Sequence, residues 1–75
     1  MFDGNVEEIR IVLNGEKRSL KKGMTVQELL KQFKVPHGTV VVEVNEGFLP
    51  KESHAAVQLK EGDRVELVRF VGGGW

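Results

Sequence analysis

Apolar and polar residues alternate near the start of the chain, which predicts a β-strand with one buried face. The apolar positions run from Ile9 to Leu13, and Asn14-Gly15 follows at once. This pair suits a two-residue type I′ turn because both residues tolerate positive φ. The pattern therefore predicts a β-hairpin whose second strand is short and lies around Lys17 to Leu20.

The hydrophobic period changes after Gly23. Thr25 and Glu28 form a Thr-x-x-Glu capping box, in which each side chain satisfies a free backbone N–H at a helix start. The apolar residues that follow are spaced i, i+3, i+4 and i+7, a single helical stripe: Val26, Leu29, Leu30 and Phe33. We expect this helical region to end at Pro36-His37-Gly38, since the residue before proline disfavours the helical conformation.

The second half of the chain returns to strand patterns. Alternating valines from Val40 to Val44 predict a strand, Asn45-Glu46-Gly47 a turn, and Phe48-Leu49 a short strand stopped by Pro50. The last predicted strand runs from Arg64 to Val71 and leads into the glycines. The segment between has no clear period, and its apolar residues are expected under or beside the sheet: Ala55, Ala56, Val57 and Leu59.

This order of elements predicts an α+β fold, because one helix can cover only one face of a sheet. The expected arrangement is a β-grasp (ubiquitin-like) fold with a mixed sheet of four to five strands and one main helix. In that fold the first and last strands are adjacent and parallel. The predicted division is a β-grasp domain over residues 1–71 and a flexible glycine tail with a terminal tryptophan over residues 72–75.

Length and composition narrow the function. Seventy-five residues form one domain with an expected stability of roughly 4–11 kcal/mol, too small for a deep pocket or a second domain, which argues against an autonomous enzyme. Eleven basic and eleven acidic residues balance, whereas a nucleic-acid binder is expected to have a basic excess. No segment is long and apolar enough to span a membrane. These features indicate a soluble, cytoplasmic protein.

Other candidate chemistry is weak. The chain has no cysteine, which excludes disulfides, thiolate metal sites and a cysteine nucleophile. His37 and His54 are far apart and lack metal-ligand spacing, so no metal site is expected. The acidic pairs Glu7-Glu8 and Glu61-x-Asp63 are interpreted as solvating charge. One basic cluster is either a solvated hairpin or a docking surface for an acidic partner: Lys17, Arg18, Lys21 and Lys22.

Four apolar residues are out of phase with the expected core: Val12, Val41, Val68 and Phe70. The positions expected to face the helix are those that alternate with them: Ile11, Leu13, Val42, Val44, Val65 and Leu67. The four could form a docking face on the uncovered side of the sheet, next to the root of the tail. Scattered surface hydrophobes are the alternative interpretation, and these need no function.

The ordered motifs of nearly the whole chain resemble the ThiS/MoaD family of sulfur-carrier proteins, and its ThiS branch most. The resemblance is carried by segments that are individually weak and jointly specific: IVLNG at 11–15, GMTVQELL at 23–30, VEVN at 42–45, LP at 49–50, LKEGDRVE at 59–66 and FVGGG at 70–74.

The resemblance implies a carrier that acts on no substrate itself and binds no cofactor. An E1-like adenylyltransferase (ThiF-like) would use ATP to adenylate the C-terminal carboxylate of Gly74, and sulfur would replace AMP to leave a thiocarboxylate. Gly72 and Gly73 would thread the partner's active site, where residues without Cβ approach a nucleotide closely. A thiazole synthase (ThiG-like) or another sulfur acceptor would then receive the sulfur. Taken alone, the glycines fit an unstructured terminus better, and it is the family pattern upstream that favours the functional interpretation.

The chain departs from the family pattern at Trp75, which follows the last glycine. A peptidase that removes Trp75 would expose Gly74; alternatively, Trp75 marks a relative with a lost or changed activation step, or an addition foreign to the natural chain. Alternative functions are a MoaD-like or other-pathway carrier, a ubiquitin-like modifier joined to lysines through Gly74, and a binding module anchored by Trp75.

Overall fold

The computed structural model of the chain describes residues 7–36 and 38–69. These residues form one five-stranded sheet in the order β2-β1-β5-β3-β4, with a single α-helix. The elements are β1 (Glu8–Leu13), β2 (Glu16–Lys21), α1 (Val26–Gln32), β3 (Val40–Val44), β4 (Gly47–Leu49) and β5 (Arg64–Arg69), with a one-turn 3₁₀ helix at Lys51–Ser53. The predicted β-grasp arrangement is confirmed.

The first hairpin forms as the sequence predicts. Strands β1 and β2 pair antiparallel from Glu8↔Lys21 to Leu13↔Glu16. Asn14 and Gly15 have φ of 50° and 84°, the positive values that a type I′ turn requires at both positions. Because the turn is two residues long, it also sets the register that points the apolar side chains of β1 towards the core.

Helix α1 begins with the predicted capping box. The Thr25 hydroxyl accepts a hydrogen bond of 3.1 Å from the Glu28 N–H, and the Glu28 carboxylate accepts one of 2.9 Å from the Thr25 N–H. The helix packs across one face of the sheet, where three of its side chains are fully buried: Val26, Leu29 and Leu30. The apolar stripe therefore covers the core side of the sheet.

The helix ends earlier than predicted, at Gln32 rather than near Pro36. Lys34 takes the left-handed conformation with φ of 58°. The Val35 N–H donates to the Leu30 carbonyl and the Lys34 N–H to the Lys31 carbonyl. These two bonds form a Schellman C-cap, in which glycine usually occupies the position that Lys34 holds. Local backbone hydrogen bonding thus ends α1 before the proline can.

The turn between β3 and β4 is one residue shorter than predicted. Asn45 and Glu46 alone have positive φ, 52° and 72°, and Gly47 is already the first residue of β4, paired with Val44. Two residues suffice because they adopt the I′ geometry of a tight hairpin.

The prediction for the segment before β5 is partly wrong. Leu59 is buried and Val57 is half-buried against the core, but Ala55 and Ala56 are exposed. The reason is that backbone hydrogen bonds tie this segment to the start of α1: Val26 N–H donates to Val57, and Leu59 N–H to Met24. These bonds hold it beside the helix and leave the alanines in solvent.

Strand β5 is central. It pairs parallel with β1 at Val12↔Arg64 and Leu13↔Val65, and antiparallel with β3 from Val40↔Arg69 to Val44↔Val65. The residues expected to face the helix do so: Ile11, Leu13, Val42 and Val65 are buried, and Val44 and Leu67 pack against them. Within residues 7–36 and 38–69, no helix is long and apolar enough to cross a membrane.

Candidate functional site: the open face and the strand that leads to the tail

The predicted sulfur-carrying end lies outside the described residues. Gly72, Gly73, Gly74 and Trp75 belong to this part of the chain, as does Phe70 of the predicted docking face. The structure instead defines the strand that precedes them, β5, and the sheet face opposite α1, which we term the open face.

Asn14 holds one edge of β5 where β1 has ended. Its side-chain Oδ1 accepts a hydrogen bond of 2.8 Å from the Leu67 N–H, and its backbone N–H donates to the Val65 carbonyl at 2.9 Å. Strand β1 ends at Leu13, and Asn14 continues its hydrogen bonding to β5. Strand β5 stays fixed along both edges as it approaches its last described residue, Arg69.

A second asparagine holds the beginning of β5. The Asn45 Oδ1 accepts a hydrogen bond of 2.9 Å from the Arg64 N–H, and its amide donates to Asp63 Oδ1 at 3.0 Å. The other oxygen of Asp63 accepts from the Lys60 N–H at 2.8 Å. Glu61 likewise accepts from the Arg10 N–H at 2.9 Å. Glu61 and Asp63 thus do more than carry the solvating charge expected of them, because both carboxylates also accept hydrogen bonds from backbone N–H groups.

The structure brings Val41 and Val68 of the predicted docking face together. They are directly paired across β3 and β5, on the open face because their neighbours in sequence face the helix. Val41 is half-buried and Val68 is 51% exposed. This pair is the apolar surface of the open face closest to the described end of β5.

Val12 is separate from that pair. It is half-buried and lies opposite Arg64 of β5. Arg64 precedes Val68 by four residues, which corresponds to about 13 Å along the strand. On its other side it faces Lys17 of β2. Val12 therefore lies between two basic residues of the open face, Lys17 and Arg64, and away from the apolar pair.

Sequence reasoning missed Phe48, which is 67% exposed. It lies on β4 opposite Glu43, while the next residue, Leu49, pairs with Val42 towards the core. The apolar pair Phe48-Leu49 is too short to show an alternation, so the sequence does not indicate which of the two side chains faces the core. We term Val41, Phe48 and Val68 the apolar patch.

Two carboxylates border the apolar patch. Glu43 of β3 is directly paired with Glu66 of β5 on one side and with Phe48 on the other. Glu43 is half-buried and Glu66 is exposed. The apolar patch is therefore bordered by acidic side chains on both β3 and β5.

The basic cluster is partly used in local contacts. Arg18 forms an ion pair of 2.8 Å with Glu16, and its guanidinium lies 5.4 Å from the centroid of the Phe33 ring. Lys22 forms an ion pair of 3.0 Å with Glu7. Lys17 and Lys21 face the open side, paired with Val12 and Glu8. Exposed pairs of this kind are worth at most about 1 kcal/mol.

The part of the chain that the structure describes contains no cluster of three or more residues able to hold a metal ion. His37 lies outside the described residues. His54 is 3% exposed, and its backbone joins two elements: its carbonyl accepts from the Gln27 N–H, and its N–H donates to Lys51. The place of His54 is therefore in the packing beside α1.

A mixed sheet with a central C-terminal strand, parallel to the first strand and covered on one face by one helix, defines the β-grasp class. The family profile described as the ThiS family matches residues 11–74. The chain thus belongs to the ThiS family, and the resemblance seen in the sequence motifs is confirmed.

Individual relatives support the same family assignment. The chain is 40% identical over 63 residues to the sulfur carrier protein ThiS of Bacillus subtilis, covering 83% of this chain and 96% of that protein. The crystal structure of the thiamine biosynthesis protein ThiS from Geobacter metallireducens superposes with a TM-score of 0.77 at 35% identity, covering 88% of this chain and all of that one (100%).

A different kind of relative is a thiazole synthase of Paramagnetospirillum magneticum, 42% identical over 66 residues. These residues are 88% of this chain and 20% of that protein. A thiazole synthase of Magnetococcus marinus shows the same relation at 36% identity. The chain therefore spans about a fifth of the length of these synthases.

Proposed function

We propose that this protein is a sulfur carrier for thiazole formation in thiamine biosynthesis, with Gly74 as the sulfur-bearing residue. The observation that carries the proposal is the family match itself, which extends through all three glycines and stops at Gly74. The name of the Bacillus subtilis relative, which this chain matches over almost its full length, gives the class of function.

The chemistry needs only a C-terminal carboxylate from this chain. The Gly74 carboxylate attacks the α-phosphorus of ATP on an E1-like partner, and pyrophosphate leaves. The terminal sulfur of a protein persulfide then attacks the acyl carbon and displaces AMP. A thiol cleaves the resulting S–S bond, which leaves a thiocarboxylate on Gly74 and a disulfide on the thiol's side. No cysteine of the carrier is required, and the chain has none.

The fold supports this use of the tail. Strand β5 is central in the sheet and is held by Asn14 and Asn45 along its length. Gly74 follows Arg69 by five residues, so it lies at most about 18 Å from Arg69. The reactive end is thereby tethered closely to a rigid strand and to the apolar patch, which can dock the partner.

Trp75 must be removed for this chemistry, because the activated carboxylate must belong to glycine. The family match, which ends one residue short of Trp75, supports Gly74 as the functional terminus. We propose that a peptidase performs this step. The bulky indole would otherwise occupy a channel shaped for residues without side chains.

The proposed acceptor is a thiazole synthase. Two relatives named thiazole synthase contain a segment similar to this chain within a single, longer polypeptide. A carrier fused to its acceptor works at high effective concentration. We infer that the same two activities meet here as separate proteins, or as parts of a longer chain.

The test compares the chain ending at Gly74 with the chain ending at Trp75, each incubated with the E1-like enzyme of the same organism and ATP. We expect exchange of labelled pyrophosphate into ATP only with the shortened chain. Equal exchange with both chains contradicts the processing step. No exchange with either contradicts the carrier function, and isopeptide adducts on lysines in cell extract favour a ubiquitin-like modifier instead.

A further inference from the structure

A recess of about 340 Å³ lies along the edge of β3 that faces away from β5. Strand β4 pairs with β3 only from Val42 to Val44, so within the described residues no strand covers this edge at Val40 and Val41. A cavity of about 150 Å³ with apolar walls accepts a benzene molecule, so the recess has room for a larger aromatic ring. Most of its lining is apolar: Val40, Val41, Val42, Phe48 and Leu49.

Two residues of the lining favour an aromatic occupant. The ring of Phe48 is 67% exposed, and a second aromatic ring would bury surface that now faces water. Lys51 also lines the recess, and its Nζ lies 3.7 Å from the position that a Cβ of Gly38 would occupy. None of the ion pairs formed within residues 7–36 and 38–69 includes Lys51. Its ammonium is therefore available to an aromatic face, and an indole attracts a cation more strongly than the other aromatic side chains do.

The chain that follows β5 supplies such a ring within reach. Arg69, the last residue described, pairs with Val40, so the opposite edge of β3 lies about two strand spacings away, roughly 10 Å. Trp75 follows Arg69 by six residues, which span at most about 22 Å. The three residues before Trp75 are glycines, and glycine adopts the conformations that a reversal of the chain requires.

We propose that the recess binds the indole of Trp75 in the untrimmed chain, with the Phe48 ring beside it and the Lys51 ammonium against its face. The contact belongs to the free protein and does not depend on sulfur transfer. It would hold Gly74 against the domain instead of leaving it accessible to another protein. Removal of Trp75 would then release the tail as well as expose the glycine carboxylate.

The same contact would cover part of the apolar patch. Val41 and Phe48 belong both to the patch and to the lining of the recess, so an indole bound there competes with a protein that docks on the patch. Removal of Trp75 would uncover this surface in the step that frees Gly74. This consequence rests on the proposed function, whereas the contact between Trp75 and the recess does not.

The fluorescence of the full chain tests the contact, because Trp75 is its only tryptophan and the chain has no tyrosine. With the indole in the recess, its emission should lie at a shorter wavelength than in the urea-unfolded chain, and acrylamide should quench it less. Phe48→Ser and Lys51→Glu should each shift the emission to longer wavelength and raise the quenching constant about twofold or more, because each removes one contact of the indole.

Two matched controls change similar residues outside the recess. Val68→Ser alters the apolar patch, and Lys21→Glu makes the same change of charge on β2. Both should leave the emission and the quenching constant as in the wild type. Phe48 and Lys51 are exposed, so the two recess variants should keep the wild-type melting temperature within a few degrees, which circular dichroism checks.

The outcomes separate this inference from the proposed function. If acrylamide quenches the wild-type chain as strongly as the unfolded chain, the indole is not bound and the inference is overturned. If the shielding persists in both recess variants, or is lost when the protein is diluted, Trp75 is buried elsewhere or against a second copy, and the inference is overturned as well. None of these results changes the pyrophosphate exchange expected of the chain that ends at Gly74, so the carrier function is tested independently.

Discussion

The side chain of Asn14 and the backbone N–H of Leu67 are joined by a hydrogen bond of 2.8 Å, although they are 53 residues apart in sequence. Asn14 therefore has two roles. Its positive φ forms the first turn, and its side chain takes the place of a missing β1 residue beside β5. The turn of the first hairpin is thus coupled to the strand that carries the tail.

Replacing Asn14 tests this coupling. Asn14→Gly keeps the turn, because glycine adopts positive φ readily, but it removes the acceptor for the Leu67 N–H. We expect a loss of about 1 kcal/mol in the free energy of unfolding and roughly tenfold faster hydrogen exchange at the Leu67 amide. Asn14→Asp retains an acceptor oxygen and should protect that amide as the wild type does. Equal protection in the two variants would show that the bond does not hold β5.

The left-handed residue at the end of α1 predicts a stabilising substitution. Lys34 has φ of 58° in the C-cap, where its Cβ is strained and glycine is not. Lys34→Gly should increase stability by about 0.5–1 kcal/mol, which corresponds to a melting temperature about 3–6 °C higher. Lys34→Gln removes the charge without relieving the backbone and should leave the melting temperature nearly unchanged. A gain in the glutamine variant as large as in the glycine variant would attribute the effect to charge.

The capping box predicts that removing the hydroxyl at position 25 lowers stability and that a serine hydroxyl recovers it. Thr25→Ala removes the acceptor for the Glu28 N–H and should cost about 1 kcal/mol in urea-induced unfolding. Thr25→Ser keeps the hydroxyl and should recover most of that loss. If alanine and serine are equally destabilising, the methyl group of Thr25, and not the cap, is what matters.

The apolar patch predicts a loss of binding without a loss of stability. Phe48 and Val68 are 67% and 51% exposed, so Phe48→Ser and Val68→Ser remove little buried area from the free protein. Each should weaken binding to the thiazole synthase by about tenfold, measured by titration calorimetry, with a melting temperature within a few degrees of the wild type.

Val12→Ser supplies the comparison for that experiment, since Val12 lies at the far end of the open face from Val68. It should weaken binding less than either patch variant. A larger effect at Val12 would place the docking surface nearer to β1 and β2 and would contradict the assignment of docking to the apolar patch.

Local sequence signals predicted most of the fold. The Asn14-Gly15 turn, the Thr25–Glu28 box and the alternation in β1, β3 and β5 each depend on residues close in sequence, and all three were confirmed. The end of α1 was missed because a lysine fills a position that glycine normally marks. Nothing in the local pattern distinguishes Lys34 from an ordinary helical lysine.

The site was harder to predict than the fold because it depends on pairing between distant strands. The alternation of β3 and β5 indicated that Val41 and Val68 share a face, but only the register shows that Glu43 meets Glu66. Phe48 lies on a strand too short to show its phase. The contact of Glu61 was hidden because its backbone partner, the Arg10 N–H, comes from a distant strand, whereas the Lys60 N–H that donates to Asp63 lies in the same turn.

The central claim is that Gly74 carries sulfur after Trp75 has been removed, and the intact mass of the protein tests it most directly. The protein should be isolated from its native host without an N-terminal tag and without conditions that hydrolyse thioacids. The account predicts a mass that lacks the Trp75 residue and shows one sulfur in place of one oxygen. A full-length, unmodified mass, unchanged when the cognate activating enzyme and ATP are supplied, would contradict it.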